Sequence, residues 1–212
     1  MKTRLICVIL CLVMILSFAG CGKKSPYPEG HDEFKAIIGE TKADALKQLK
    51  LQESDLTELA PFVYQVPGTY TFCDYTFQSA LMLDAGADRI YGFIYYVLVD
   101  DLSGLVPMRD KLIELFGQPN DYVFTQEDIE KGKNGESIGI GNTWSIHSFT
   151  REHHPEYAKY IEAYMEKSPI KCGYAWGLSM ELRHSDQGQR YIVLTFQVGP
   201  DLSQPWQPGQ DR

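Results

Sequence analysis

The densest group of potential ligands in the chain is Glu152-His153-His154-Pro155-Glu156. Adjacent histidines on a loop can hold zinc, but a zinc site needs three or four converging ligands at spacings such as HExxH, and none occurs. The residues also suit a helix start, with Pro155 at the first helical position and Glu156 facing the positive end of the macrodipole. His153 and His154 are therefore weak metal candidates. His147 and His184 would join them only if the fold brought them near. Ser168-Pro169-Ile170-Lys171 sets a serine three residues before a lysine. That pair can activate a nucleophile only at the start of a buried helix, whereas Pro169–Gly173 favours a turn. Gly139-Ile140-Gly141-Asn142 lacks the strand-turn-helix setting of a phosphate cradle, and GxSxG and CxxC are absent. No catalytic residue, metal or cofactor is assigned.

The five cysteines divide by position. Cys7 and Cys11 lie in an apolar leader and Cys21 follows it, which leaves Cys73 and Cys172 as a possible disulfide outside the cytoplasm or as two thiols.

The leader itself is the clearest signal. Lys2 and Arg4 precede the unbroken apolar run Leu5–Leu16, and Ser17-Phe18-Ala19-Gly20 brings in small residues before Cys21. Basic start, apolar middle and small-residue exit form an export signal. Phe18-Ala19-Gly20-Cys21 resembles the lipobox of bacterial lipoproteins, with phenylalanine where leucine is usual. The resemblance implies cleavage after residue 20, a diacylglyceryl group on Cys21, and a chain held on the extracytoplasmic face of the cell membrane. Two acyl chains anchor stably where one is marginal. An uncleaved helical anchor and ordinary cleavage after Ala19 are the competing readings, and both also export the chain. Residues 21–33, with two prolines and two glycines, form a tether reaching at most roughly 40 Å.

The formal net charge of −8 becomes −10 once Lys2 and Arg4 leave with the leader. Such a domain is repelled by phosphate backbones, so nucleic acid is a poor partner. Thirteen tyrosines with ten phenylalanines and three tryptophans point elsewhere. Tyrosine joins apolar area to a polar tip and is favoured at interfaces. Tyr91, Tyr95, Tyr96, Tyr157, Tyr160 and Tyr164 are the candidate binding surface, with core packing as the alternative for each.

Several elements must position these groups. Thr41-Lys42-Ala43-Asp44 begins a helix in capping-box fashion, and Ser54–Leu59 reads as a second helical turn ending at Pro61. Tyr70–Leu83 and Arg89–Val99 form a hairpin around residues 85–88. Its first strand sets Cys73, Tyr75, Phe77, Leu81 and Leu83 on one face; its second is apolar on both faces, through burial or as an aromatic surface. Leu105–Phe116 is a helix ended by Gly117, and Gln126–Asn142 a polar, glycine-rich loop. Thr143–Phe149 is a strand with Trp144 and Ile146 inward, and Pro155–Lys167 an amphipathic helix. Gly177–Ser185 pairs with Tyr191–Val198, and residues 199–212 are a loose tail.

These elements predict an α+β domain over residues 34–198: an antiparallel sheet with helices on one side, in two tandem helix-strand units. The pattern resembles the secreted beta-lactamase-inhibitory protein and small outer-membrane assembly lipoproteins, where a free sheet face or loop grips a partner protein. The expected function is a membrane-anchored module binding a protein or envelope polymer. A metal-dependent or other hydrolase of the cell envelope, and an inhibitor of an exported enzyme, are the alternatives.

Overall fold

Alternating apolar residues in successive segments build one sheet, and its register decides which side each residue serves. The computed structural model describes residues 31–73, 75–84, 89–134, 140–146, 157, 172–185 and 187–205. Its strands are β1 (Thr57–Ala60), β2 (Val63–Phe72), β3 (Tyr75–Asp84), β4 (Ile90–Leu98), β5 (Ile140–Ile146), β6 (Cys172–His184) and β7 (Arg190–Pro205). Helices α1 (His31–Ala36), α2 (Lys42–Leu49), α3 (Leu105–Phe116) and α4 (Gln126–Lys133) accompany them. The sheet order is β1-β2-β3-β4-β7-β6-β5, antiparallel throughout. The first four strands form a meander. The chain then passes through α3 and α4 to the far edge and returns through β5 and β6, so that β7 closes against β4. Two helix-then-strand units thus share one sheet, an α+β fold as the sequence predicts.

The core lies on the helix side. Phe93 stands opposite Met82 and Phe196, and Tyr95 opposite Ala80 and Leu194. Leu178 stands opposite Phe196 and Trp144. Phe34 of α1 packs on this surface, with ring centroids 5.2 Å from Phe93 and 5.8 Å from Tyr95. Over the other half, Leu105, Met108 and Leu112 of α3 are fully buried, and Phe116 stacks 4.9 Å from Trp176. Each such side chain contributes about 1.5–3 kcal/mol by leaving water. Trp144 keeps its one polar group satisfied by donating Nε1–H to the Gly117 carbonyl at 2.8 Å. The link between α1 and α2 is fastened to the start of β4: Gly39 N donates to Ile90 O at 2.7 Å, and Ile90 N to Glu40 O at 3.0 Å.

Local chemistry explains several boundaries. Thr41 caps α2 by accepting from Asp44 N at 3.1 Å, as the sequence suggests. Pro67 is tolerated inside β2 because the strand bulges between Pro67 and Tyr70, where Gly68 has φ 139°. The α3 helix falls on the expected residues, and the β6–β7 pairing includes the expected hairpin.

Other expectations are corrected. Residues 54–59 hold a single 3₁₀ turn (Glu53–Asp55) and then β1, because pairing with β2 overrides the helix propensity of Glu58, Leu59 and Ala60. The stretch 70–83 is two strands broken at Cys73, whose φ of 48° turns the chain. Within β3 the register shift opposite Pro67–Tyr70 changes the alternation, so Phe77 faces the core while Leu81 and Leu83 lie on the opposite face. Residues 126–133 are a helix, not a loop. Thr125 and Asp128 form its capping box, Ile129 is buried, and Glu127–Lys131 (2.8 Å) and Glu130–Lys133 (2.9 Å) brace its outer side. Strand β7 continues to Pro205, into the segment expected to be a tail. The leader and most of the tether, the helix expected at 155–167 apart from Tyr157, and residues 206–212 lie outside the described residues. Among the described residues no helix is long and apolar enough to cross a membrane.

Candidate functional site

Because side chains alternate along a strand, the register that buries one face also composes the other. On this second face Thr143, Ser179, Thr195, Ile94, Leu81, Gln65 and Thr57 stand opposite one another across all seven strands. The row on one side of it carries Gly141, Glu181, Val193, Tyr96, Ser79 and Pro67. The row on the other side carries Ser145, Gly177, Gln197, Gly92, Leu83 and Val63. Phe34, Ala45, Leu105, Met108, Leu112 and Ile129 of the helices belong to the core on the opposite, helix side.

The two halves of this face differ. Over β2–β4 it mixes aliphatic and polar groups: Ile94, Leu81 and Val63 are partly exposed, Leu83 and Ser79 are buried, and Leu98 at the end of β4 is 53% exposed. Over β5–β7 it is flat and hydroxyl-rich. Gln197 lies between two glycines: a Cβ at Gly177 would sit 3.6 Å from its Cγ, and one at Gly92 would run into the Phe196 carbonyl and the Gln197 Cβ at 2.9 Å. Glycine at position 92 is thus required by close backbone approach.

Polar groups across this face are ordered. Gln65 donates its two Nε2 protons to Ser79 Oγ and Tyr96 Oη, both at 3.1 Å. Tyr96 thereby accepts a bond, and its own proton is left to donate. The charged residues that the register places here, Glu181 and Arg183, neutralise each other at 2.7 Å, and Ser179 Oγ donates to Glu181 at 3.2 Å. On a chain of net charge −8, this face carries no uncompensated charge among the described residues.

The six tyrosines expected to form one surface are divided by the same alternation. Tyr95 is fully buried, ringed by Phe34, Phe77, Phe93 and Phe196, and Tyr157 is buried in the core with the Lys35 ammonium 5.9 Å from its ring centre. Both are core residues, which corrects the expectation of a surface role. Tyr91 packs half-buried against the core, and burial raises its hydroxyl pKa. Tyr96 lies on the second face. Tyr160 and Tyr164 lie outside the described residues. The residues that sequence reasoning missed are Gln65, Leu81, Thr195 and Ser179. The alternation Gly177-x-Ser179-x-Glu181 against Trp176-x-Leu178-x-Met180 was the available clue.

The two cysteines of the domain stand apart. Cys73 sits in the β2–β3 turn, at the sheet end that also holds Leu98 and Tyr191. Cys172 opens β6 opposite Pro205, at the other end. Roughly 40 Å separates these ends at about 3.3 Å per strand residue, whereas a disulfide needs Cα atoms within about 7 Å. The antiparallel register thus sets their backbones at opposite ends of the sheet. His184 is exposed at the end of β6. His153, His154, Cys21 and Ser168 lie outside the described residues, and among those described no three His, Cys, Asp or Glu groups converge as metal ligands.

Compared with protein-family models, with characterised proteins and with solved structures, the chain matches none.

Proposed function

We propose that the chain is a membrane-tethered extracytoplasmic binding module whose partner, a protein or an envelope polymer, docks on the second face of the sheet. The observation that carries this reading is that face itself. It joins an apolar patch around Ile94 and Leu81 to the hydrogen-bonded Gln65–Ser79–Tyr96 group and to a flat hydroxyl surface, on a chain acidic overall. A surface apolar at its centre and neutral around it suits docking. The leader and Cys21 supply the location: export, then attachment through a diacylglyceryl group.

The test uses the full-length chain in its native envelope. Cross-linking and purification are expected to recover a discrete partner with the parent, and to lose it with Ile94→Arg or Thr195→Arg, whose long charged side chains obstruct the face. Equal recovery with both variants would overturn the docking surface. Metabolic labelling with a fatty acid, retained by the parent and lost in Cys21→Ala, supports the anchor. Recovery of the chain from the cytosol with its leader intact would overturn it.

A further inference from the structure

The two edges of the sheet are finished differently. Along the outer side of β5, Asn120 N donates to Thr143 O at 2.7 Å and Thr143 N donates to the Asp121 carboxylate at 3.0 Å. Asn120 Nδ2 reaches Ser145 O at 3.4 Å. That edge is occupied. At the other edge β1 is four residues long and bulged at Leu59, all four residues are exposed, and beyond its pairing with β2 its backbone takes part in no hydrogen bond among the described residues.

The loop that ends this edge carries a second anomaly. Ala60 pairs with Val63, so Pro61 and Phe62 form a two-residue hairpin turn. Proline fixes the first position, and Phe62 takes the second with φ 67°, a left-handed conformation that glycine adopts freely and a bulky side chain resists. Burial of the ring does not compensate, because Phe62 is 50% exposed and its neighbour Leu59 52%. Neither turn chemistry nor core packing calls for phenylalanine here. The left-handed turn is tied to β3 by Asp84 N donating to the Phe62 carbonyl at 2.9 Å, and it leaves an exposed aromatic ring beside the β1 edge, where a contact residue would stand.

We propose that β1 is a strand-addition site: an extended segment of another protein pairs with its outer edge and lays apolar side chains on Leu59 and Phe62, with lysine or arginine between them. The occupant follows from charge. Glu53, Asp55 and Glu58 are exposed around the edge, and Lys42 is already drawn to Glu53 at 2.5 Å. A second copy of the chain would bring Glu58 and a net −8 against the same charges, whereas a basic strand meets them favourably.

The experiment measures fluorescence anisotropy of short labelled peptides titrated with the detergent-solubilised full-length chain. One peptide alternates valine with lysine, one alternates valine with glutamate, and two lysine peptides carry N-methyl groups on alternate amides in opposite phase. Only alternate amides of an added strand face its neighbour. The lysine peptide is expected to bind and the glutamate peptide not. One N-methyl phase should weaken binding roughly tenfold or more while the other leaves it intact. Phe62→Asn should lower peptide affinity and raise the Tm, because asparagine tolerates the left-handed turn. Equal binding of both N-methyl phases would reduce the effect to charge attraction and overturn the proposal. So would absence of peptide binding, a fall in Tm for Phe62→Asn, or a solution dimer of the parent that Leu59→Pro abolishes.

Discussion

Tyr95 and Tyr96 are neighbours in the chain and opposites in the fold. Tyr95 is enclosed by the rings of Phe34, Phe93 and Phe196, whereas Tyr96 lies on the second face and receives a hydrogen bond from Gln65. One step along a strand separates a residue that holds the protein together from one available to a partner. The helix side is aromatic, large and sealed; the second face is built of small, hydroxyl and modest aliphatic groups. The same amino acid therefore means different things at odd and even positions of β4, and residue type alone does not identify a binding surface.

That contrast can be broken by mutation. Phe93→Ala should cost about 3–5 kcal/mol in urea unfolding, since it removes a buried ring from between Phe34 and Phe196. Tyr96→Ala should cost under about 1 kcal/mol, as expected for a partly exposed residue. Equal costs would mean that the two faces do not differ as described. Gly92→Val should fall between these, at about 1–3 kcal/mol, because the added side chain meets the Phe196 carbonyl and Gln197. A loss below about 0.5 kcal/mol there would show that β4 and β7 are less closely paired than their register implies. Thr125→Ala removes the cap of α4 and should cost about 1 kcal/mol, with the β-sheet signal in circular dichroism unchanged.

The smallest effect is expected from pH. Burial raises the hydroxyl pKa values of Tyr70, Tyr75 and Tyr91, all on the helix side, with the Glu33 carboxylate adding to the shift at Tyr70. In each case the folded state holds the proton more tightly than the unfolded state. The stabilisation is therefore complete below the ordinary tyrosine value of 10.0 and is lost as pH rises above it. Asp128 shows the opposite sense. Hydrogen bonds from Tyr122, and then from Thr125, hold its pKa below 3.8, so its contribution is present above that value and lost as pH falls further. Melting temperatures across both ranges check the signs. A Tm that rises between pH 10 and 11 would contradict the burial of the three tyrosines.

The sequence disclosed those elements whose ends are punctuated. Helix α3 is bounded by Gly104 and Gly117, and the β6–β7 turn contains Gly188; both appear where expected. Elements without punctuation were hidden. The β2–β3 reversal turns on Cys73, a residue with no turn preference, so two strands read as one. Helix α4 buries little beyond Ile129 and carries Gly132, so its charges looked like loop. Strand β1 consists largely of helix formers, and only its partner β2 makes it a strand. The candidate face was harder still to see. Its rows join residues from both halves of the chain, and the order in which strands lie side by side is not written in any local pattern. Tyrosine content drew attention to β4, but not to which of its sides looks outward.

Strand β7 is the last of the described strands in chain order, yet it sits in the middle of the sheet. Until it arrives, β4 has an open flank and β6 lacks its inner neighbour, so neither half of the sheet can be completed by itself. Closure joins Gly92 to Gln197 and Leu98 to Tyr191, contacts between distant parts of the chain that are slow to find. A sheet wired in this way has no half that is finished alone, so β7 is the piece whose loss would open both.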